Sequence, residues 1–336
     1  MAEIRLADGA AFECAEDDTL LRAGLRAGLG LPYECNAGSC GTCKVELTAG
    51  TIHSLRPDAP GLAERDRAKN RILACQAQPR GDCGIKVRLR PENVPVHRPQ
   101  RFRARLASVR DLTHDMREFR FEAVGASPGF LPGQYALFYL PGLDVARTYS
   151  MSNVDDGSGA WEFIVRRVPG GTGTNTLFDK VPVGSEITLD GPYGLAYLRT
   201  DAPRDIVCIA GGSGLAPVLS VARGAVREPA LAGRKIHVFY GARTHRDLCG
   251  ETHLGELPGY GERLFFYPAL SMVDADGPEW KGKTGFIHEI ARDFIGDRWT
   301  EYEYYFAGPP AMAQAVQQML IEKRVPYPQV HFDSFY

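Results

Sequence analysis

The sequence predicts a multidomain protein built from three units of different class: a small α+β unit, an antiparallel β-barrel and a doubly wound α/β unit. Three observations carry that reading. The chain has 336 residues, and at roughly 100 to 200 residues per domain this is enough for two or three separate cores. Its hydrophobic pattern changes rhythm twice along the chain, and a basic stretch with two prolines, residues 94–103, stands at the first change. The composition is that of a globular protein, with 44% hydrophobic and 24% charged residues, and 39 basic against 41 acidic side chains give a net charge of −2. This balance excludes a polybasic nucleic-acid binder and a disordered acidic tail. The longest uncharged stretch, residues 123–143, contains Pro128, Pro132 and Pro141 and cannot form a membrane-spanning helix. The start, MAEIRLADGA, has no apolar signal run. A cytoplasmic protein is expected, a monomer with neither membrane nor nucleic acid as partner.

In the first unit, residues 1–93, the runs 4–6 and 11–14 read as a hairpin closed by Asp8-Gly9, a pair that readily takes positive φ. Asp18 or Thr19 then caps a helix with an apolar stripe at Leu20, Leu21, Leu25 and Leu29. Glu16, Asp17 and Asp18 stand at its positive end and are expected to complement the helix dipole rather than to dock a partner. Further strands at 44–47, 72–75 and 84–89 complete the α+β unit. Residues 94–103 read as a linker, with Pro95 and Pro99 and little to bury. In the second unit, 104–202, short strands at 104–109, 116–124, 135–140, 161–165 and 186–189 are broken by Gly and Pro turns, the spacing of a barrel. In the third, 203–336, apolar runs at 206–210, 236–240 and 303–306 alternate with amphipathic helices at 218–227 and 312–322. That alternation describes a parallel sheet covered on both faces.

Eight cysteines without an export signal point first to metal or redox chemistry. Cys35, Cys40 and Cys43, followed 32 positions later by Cys75, have the C-x4-C-x2-C…C spacing that holds two irons in a [2Fe-2S] cluster, whereas zinc ribbons use two C-x2-C knuckles. The small residues Ala37, Gly38, Ser39, Gly41 and Thr42 between the ligands let backbone N–H groups approach the sulfurs. Cys83 is a rival fourth ligand, and Cys14, Cys208 and Cys249 read as ordinary buried residues.

Two glycine-rich stretches suit phosphate. Gly170 and Gly171 precede Thr174 at the start of a helix, where N–H groups are exposed. Gly211, Gly212, Ser213 and Gly214, with Pro217 three positions on, follow an apolar strand and open a helix, the setting of a dinucleotide loop, although they lack the G-x-G-x-x-G fingerprint.

Arg147-Thr148-Tyr149-Ser150 resembles the R-x-Y-S motif of the ferredoxin-NADP reductase superfamily. The chemistry suits a flavin: the Tyr149 ring can cover the isoalloxazine, the Ser150 hydroxyl can bond its N5, and Arg147 can pair with the pyrophosphate. Gly211 to Pro217 resembles the G-G-x-G-x-A-P loop of the same superfamily, and Tyr240 to Arg243 and Ala307 to Pro310 resemble its later loops, which places Arg243, Gly308 and Pro309 at the nicotinamide site. Ala307 stands where the superfamily usually has Cys. The first unit resembles the plant-type ferredoxin domain, a β-grasp fold, and Leu73-Ala74-Cys75-Gln76 matches the pattern around its fourth ligand, which favours Cys75.

The whole order resembles the reductase components of bacterial aromatic-ring oxygenases, the naphthalene dioxygenase reductase type above all, through residues 166–171 and 194–199. That resemblance implies electron flow from NADH to FAD, to [2Fe-2S], and on to a terminal oxygenase or separate ferredoxin. It also implies that an aromatic residue of the C-terminus, Phe335 or Tyr336, lies against the flavin. A reductase for a diiron monooxygenase or for sugar deoxygenation would share every motif. A non-enzymatic cluster-carrying or zinc-stapled module would leave the motifs at Arg147 and Gly211 unexplained. With Arg243 read as holding a group common to both nicotinamides, and Arg246 and Asp247 as solvated loop charges, a modest preference for NADH is expected, with NADPH still usable.

Overall fold

The computed structural model describes residues 1–273 and 277–334; Phe335 and Tyr336 lie outside the described residues. The first unit contains β1 (Ala2–Leu6), β2 (Ala11–Cys14), α1 (Leu20–Arg26), β3 (Lys44–Ala49), β4 (Ile52–Ser54), α2 (Glu64–Arg67), β5 (Arg71–Leu73), β6 (Ala77–Pro79) and β7 (Cys83–Lys86). Its main sheet has the order β2-β1-β7-β3-β5, with β1 antiparallel to β2 and parallel to β7. This mixed sheet grips α1, the β-grasp arrangement. Thr19 caps α1 by accepting from the Arg22 N–H. Leu29 lies beyond the helix, because Gly28 at φ +87° turns the chain out of it.

The second unit contains β8 (Gln100–Asp111), β9 (Met116–Ala123), β10 (Tyr135–Tyr139), β11 (Arg147–Ser150), β12 (Ala160–Arg166), α3 (Thr172–Lys180) and β13 (Glu186–Tyr193). The six strands run antiparallel in the order β11-β10-β13-β8-β9-β12, and a bridge between Met151 and Phe163 joins the two ends into a barrel. Phe119, Phe121, Phe138, Trp161 and Phe163 fill it. The strand β8 begins at Gln100, inside the stretch read as linker, because Gln100 to Phe102 pair with Leu189 to Gly191 on β13.

The third unit contains β14 (Asp205–Gly211), α4 (Leu215–Arg227), β15 (Ile236–Ala242), α5 (Glu251–Gly255), β16 (Leu264–Leu270), β17 (Lys283–Thr284), α6 (Ile287–Ile295), β18 (Tyr302–Gly308), α7 (Pro310–Glu322) and β19 (Val330–Ser334). The sheet is wholly parallel, β17-β16-β15-β14-β18-β19. Inward side chains of α4 form one core on one face, and those of α6 and α7 form a second core on the other, as a doubly wound sheet requires. Among the described residues no helix is long and apolar enough to cross a membrane.

Candidate functional site

The four spaced cysteines gather as two pairs. The Cys35 thiol is held down at about 6, first by a hydrogen bond with Cys40 and, against burial, by the N–H groups of Cys40 and Ala37; those two N–H groups lie 3.4 Å from its Sγ. Cys40 is pushed up by the same bond and by burial. Cys43 and Cys75 form the second pair, Cys43 pushed up and Cys75 held below the usual thiol range, each first by their mutual bond. The Gln76 amide donates to the Cys75 Sγ at 3.4 Å. Among the described residues, the group of three or more metal-ligating side chains with donor atoms within 4.8 Å of one another is His114, Asp115 and Asp247. No three cysteine sulfurs therefore converge as one tetrahedral zinc would require, whereas two pairs set apart suit two irons. Cys83 turns its Sγ to the carbonyls of Thr51 and Gly81, at 3.3 and 3.4 Å. Cys14 and Cys208 are buried, and Cys249 is half-buried beside the Tyr240 hydroxyl at 3.3 Å.

The cluster loop is held against the barrel. The Tyr135 hydroxyl donates to the Glu34 carbonyl at 2.6 Å, one residue before Cys35, and the Gly194 N–H donates to the Tyr33 hydroxyl at 3.1 Å. Arg26 on α1 meets the fully buried Asp190 at 2.7 Å, and Arg101 on β8 meets Asp17 at 2.6 Å and Asp18 at 3.1 Å. Asp17 and Asp18, read as dipole complements, are thus docking residues between two units; their partner lies 84 and 83 positions away, where no local pattern reveals it.

One consequence of this docking is a cavity of about 290 Å³ lined by all three units. Cys35 and Ala37 come from the cluster loop, Thr148, Tyr149 and Ser150 from β11, and Ser213 and Asp333 from the third unit. The Tyr149 ring packs edge-on against Phe138, with centroids 4.8 Å apart, and burial pushes its hydroxyl up to about 12. Arg147 does not line this cavity; its side chain crosses Gly173 in the first turn of α3, where a Cβ would come within 2.9 Å of it. Gly170 takes φ +71° and Gly171 starts α3, while Thr174 accepts from the Val168 N–H at 3.1 Å and lines the cavity. Burial pushes the Asp333 carboxyl up to about 7, the Glu34 carboxylate adding to the rise and the Ser150 hydroxyl opposing it. Its Oδ2 is buried without a partner.

A second cavity, of about 430 Å³, opens at the C-terminal ends of the parallel strands. Gly211, Gly212, Arg243 and Pro309 line it, with Arg166 on the wall shared with the first cavity. Gly214 lets the loop lie against β18: a Cβ there would meet the Ala307 carbonyl oxygen at 2.0 Å. A Cβ at Gly308 would meet the Met312 Cε at 2.6 Å and the Gly211 backbone at 3.1 Å. Pro217 faces Ala196, Tyr305 and Asp333, away from the second cavity. The starts of α3, α4, α6 and α7 carry no side-chain cap, and each borders one of the two cavities. Uncapped N–H groups aimed at a cavity suit the phosphates of a dinucleotide. Asp247 is no solvated loop charge: it accepts from the Thr244 N–H and hydroxyl at 3.0 and 3.1 Å and from Arg166 at 3.4 Å. Arg166 also binds Asp115 at 2.6 Å, so this acidic group already has its cation. Glu34, Asp115, Tyr135 and Arg166 thus join the site although no cofactor motif singled them out as site residues; Arg166 alone had a signal, in the run 166–171.

Family models match the three units in the same order. A 2Fe-2S iron-sulfur cluster binding domain matches residues 5–80, an oxidoreductase FAD-binding domain 103–197 and an oxidoreductase NAD-binding domain 208–318. The ferredoxin–NAD(P)(+) reductase CarAd of Metapseudomonas resinovorans is 39% identical over 342 residues, covering 100% of both chains. The chain belongs to the ferredoxin–NAD(P) reductase components of oxygenase systems. Another such reductase, from the alkene monooxygenase system of Xanthobacter autotrophicus, is 38% identical over 99% of this chain and 100% of its own. The naphthalene 1,2-dioxygenase/salicylate 5-hydroxylase reductase component of a Ralstonia species is 33% identical over 91% of this chain and 90% of its own. The solved ferredoxin reductase in carbazole 1,9a-dioxygenase superposes with a TM-score of 0.92 at 37% identity, covering 100% of this chain and 98% of that one. The reductase described here is accordingly an iron-sulfur flavoprotein that moves electrons from a nicotinamide through FAD to a [2Fe-2S] cluster.

Proposed function

We propose that this reductase delivers electrons from NADH to the terminal oxygenase, or to an intermediate ferredoxin, of a system that hydroxylates aromatic compounds. The observation that carries the reading is the convergence of the cluster loop, the Arg147 to Ser150 strand and the Ser213 loop on one cavity. Cys35 and Cys40 would hold one iron, Cys43 and Cys75 the other. Arg147, Thr148, Gly170, Gly171 and Thr174 would hold FAD, whose chemistry converts a two-electron donor into single-electron delivery. Tyr149, pinned by Phe138, offers its ring to the isoalloxazine. Ser150 Oγ and the Asp333 carboxyl, which holds its proton near neutral pH, can hold or pass a proton at the cavity wall. Gly211, Gly212, Ser213, Gly214, Gly308 and Pro309 would take the nicotinamide phosphates, with Pro217 stiffening the first turn of α4.

Arg243 is exposed on the cavity wall, and Asp247 is engaged by Arg166, so among the described residues no free carboxylate stands at the end of β15 to repel a 2′-phosphate. The discrimination between NADH and NADPH should be modest. The visible spectrum of the purified protein tests the cofactors: flavin bands with broad [2Fe-2S] absorption support them, and a colourless zinc protein rejects them. Comparing kcat/KM for the two nicotinamides tests the donor, and a preference for NADPH of about tenfold, roughly 1.4 kcal/mol, rejects NADH. The 38% identity to the alkene monooxygenase reductase favours a second reading, a monooxygenase partner. Steady-state reduction of each candidate oxygenase or ferredoxin separates the two.

A further inference from the structure

Arg22 is 3% exposed on α1. Its Nε donates to Asn36 Oδ1 within the cluster loop, and its Nη1 donates to the Tyr139 hydroxyl of β10, both at 3.2 Å. Neither acceptor is charged. Among the described residues Arg22 has no carboxylate within 4.0 Å, unlike Arg26 and Arg101 beside it. The carboxylates whose field reaches it are Asp190 and Asp18, and both are already engaged by Arg26 and Arg101. Three guanidinium groups therefore share two buried carboxylates, and Asp17, the other partner of Arg101, is 75% exposed to solvent. With Asp17 counted the charges balance, but that third carboxylate stands at the solvent edge against Arg101, so Arg22 is left without a carboxylate of its own inside the contact. Burying a cation without an anion costs several kcal/mol, so a counter-charge is to be expected close by.

Asn36 lies between the ligands Cys35 and Cys40, which puts the guanidinium at the back of the cluster loop. A [2Fe-2S] cluster on four thiolates is an anion, and it gains a further negative charge on reduction. We propose that Arg22 is the counter-charge of the cluster, a positioning residue that makes the added electron less costly there and so draws electrons from the flavin side toward the acceptor. The proposal rests on the assignment of Cys35, Cys40, Cys43 and Cys75 as ligands.

The test is a reductive titration of the whole holoprotein, with the cluster followed by electron paramagnetic resonance and the flavin by absorbance. Arg22→Gln should make cluster reduction at least tenfold less favourable, about 59 mV lower for a one-electron couple, while the flavin midpoint moves by less than about twofold in the same terms. Asp190→Asn removes a carboxylate from the same contact and should move the cluster the opposite way. Shifts of opposite sign would support a charge effect, since loosened packing has no reason to follow the sign of the charge removed. An Arg22→Gln cluster within about twofold of wild type would falsify the proposal, and so would shifts of the same sign in both variants. Should Arg22→Gln fail to retain its cluster, Asp190→Asn decides: a shift to easier reduction supports the proposal, and none overturns it. A wild-type protein without a [2Fe-2S] signal would remove the ligand assignment, and this inference with it.

Discussion

The two sides of the cavity proposed for the flavin are built on opposite plans. Toward the cluster, the barrel and the first unit share one apolar core, which takes in Tyr135, Leu137 and Tyr193 of the barrel. Around it stand buried ion pairs such as Arg26 with Asp190 at 2.7 Å, and tyrosine hydroxyls bonded to backbone. Toward the nicotinamide, the barrel faces a recess of about 430 Å³ rimmed by glycine loops, with Arg166 strung between Asp115 of one unit and Asp247 of the other. Single-electron transfer to the cluster needs a fixed short distance and exchanges nothing with solvent. A nicotinamide must enter and leave in every turnover, so its side has to stay open. On the proposed assignment the molecule is closed where electrons would leave the flavin and recessed where they would arrive.

Four measurements break or sharpen this contrast. The largest effect is expected on the open side, whose backbone is as tightly built as its cavity is wide. Gly214→Ala would force a Cβ to within 2.0 Å of the Ala307 carbonyl oxygen, and it should cost about 3 kcal/mol of stability in urea or thermal unfolding. A variant as stable as wild type would mean that the loop yields freely. On the closed side, Cys75→Ser should remove the cluster and lower NADH-driven reduction of cytochrome c at least about tenfold, roughly 1.4 kcal/mol of barrier, while two-electron reduction of a dye persists. Cys83→Ser is the control and should change neither rate.

Asp333 tests the shared wall through pH. Its carboxyl is raised from 3.8 to about 7 in the fold, so folding favours the protonated form: this contribution is complete below pH 3.8 and is lost as pH rises through 7. Between pH 6 and 8 the wild type should lose about 1 kcal/mol that Asp333→Asn does not lose, measured by denaturant unfolding at each pH. Parallel profiles would show that this carboxyl is ordinary. The smallest effect is expected for Ser150→Ala, about threefold in the limiting rate of flavin reduction at saturating NADH, the worth of one hydrogen bond at about 0.7 kcal/mol. An unchanged rate in stopped flow would make Ser150 a wall residue only.

The elements with strong local signals were legible from sequence. The hairpin of β1 and β2, the Thr19 cap and the strand-loop-helix at Gly211 depend on neighbours a few residues apart, and they are where the pattern put them. Less legible were β16, β17, α6 and β19. Leu264–Leu270 contains Pro268, which speaks against a central strand, and the two residues of β17 are too short to show a period. The start of β8 was hidden because Arg101 looks like a linker cation until Asp17 and Asp18 are placed opposite it. The same holds at the site. Motifs singled out the four cysteines and the strand proposed for the flavin, but Glu34, Arg22 and Asp190 act through partners up to 164 positions away, and such contacts leave no trace in local spacing.

Tyr135 and Ser150 are directly opposed in the β10–β11 ladder. One grips the backbone beside the first cysteine, and the other faces the cavity proposed for the flavin, so a single antiparallel rung would work as the ruler between the two redox centres. Its length is set by strand spacing, about 4.5 to 5.5 Å between opposed residues, and a slip of β11 by one residue would turn Ser150 to the other face and leave Tyr135 opposite a different residue. The chain that joins the first unit to β8 is then a tether and not a gauge. Added residues there would change how often the two units meet, and would leave untouched the separation at which they work.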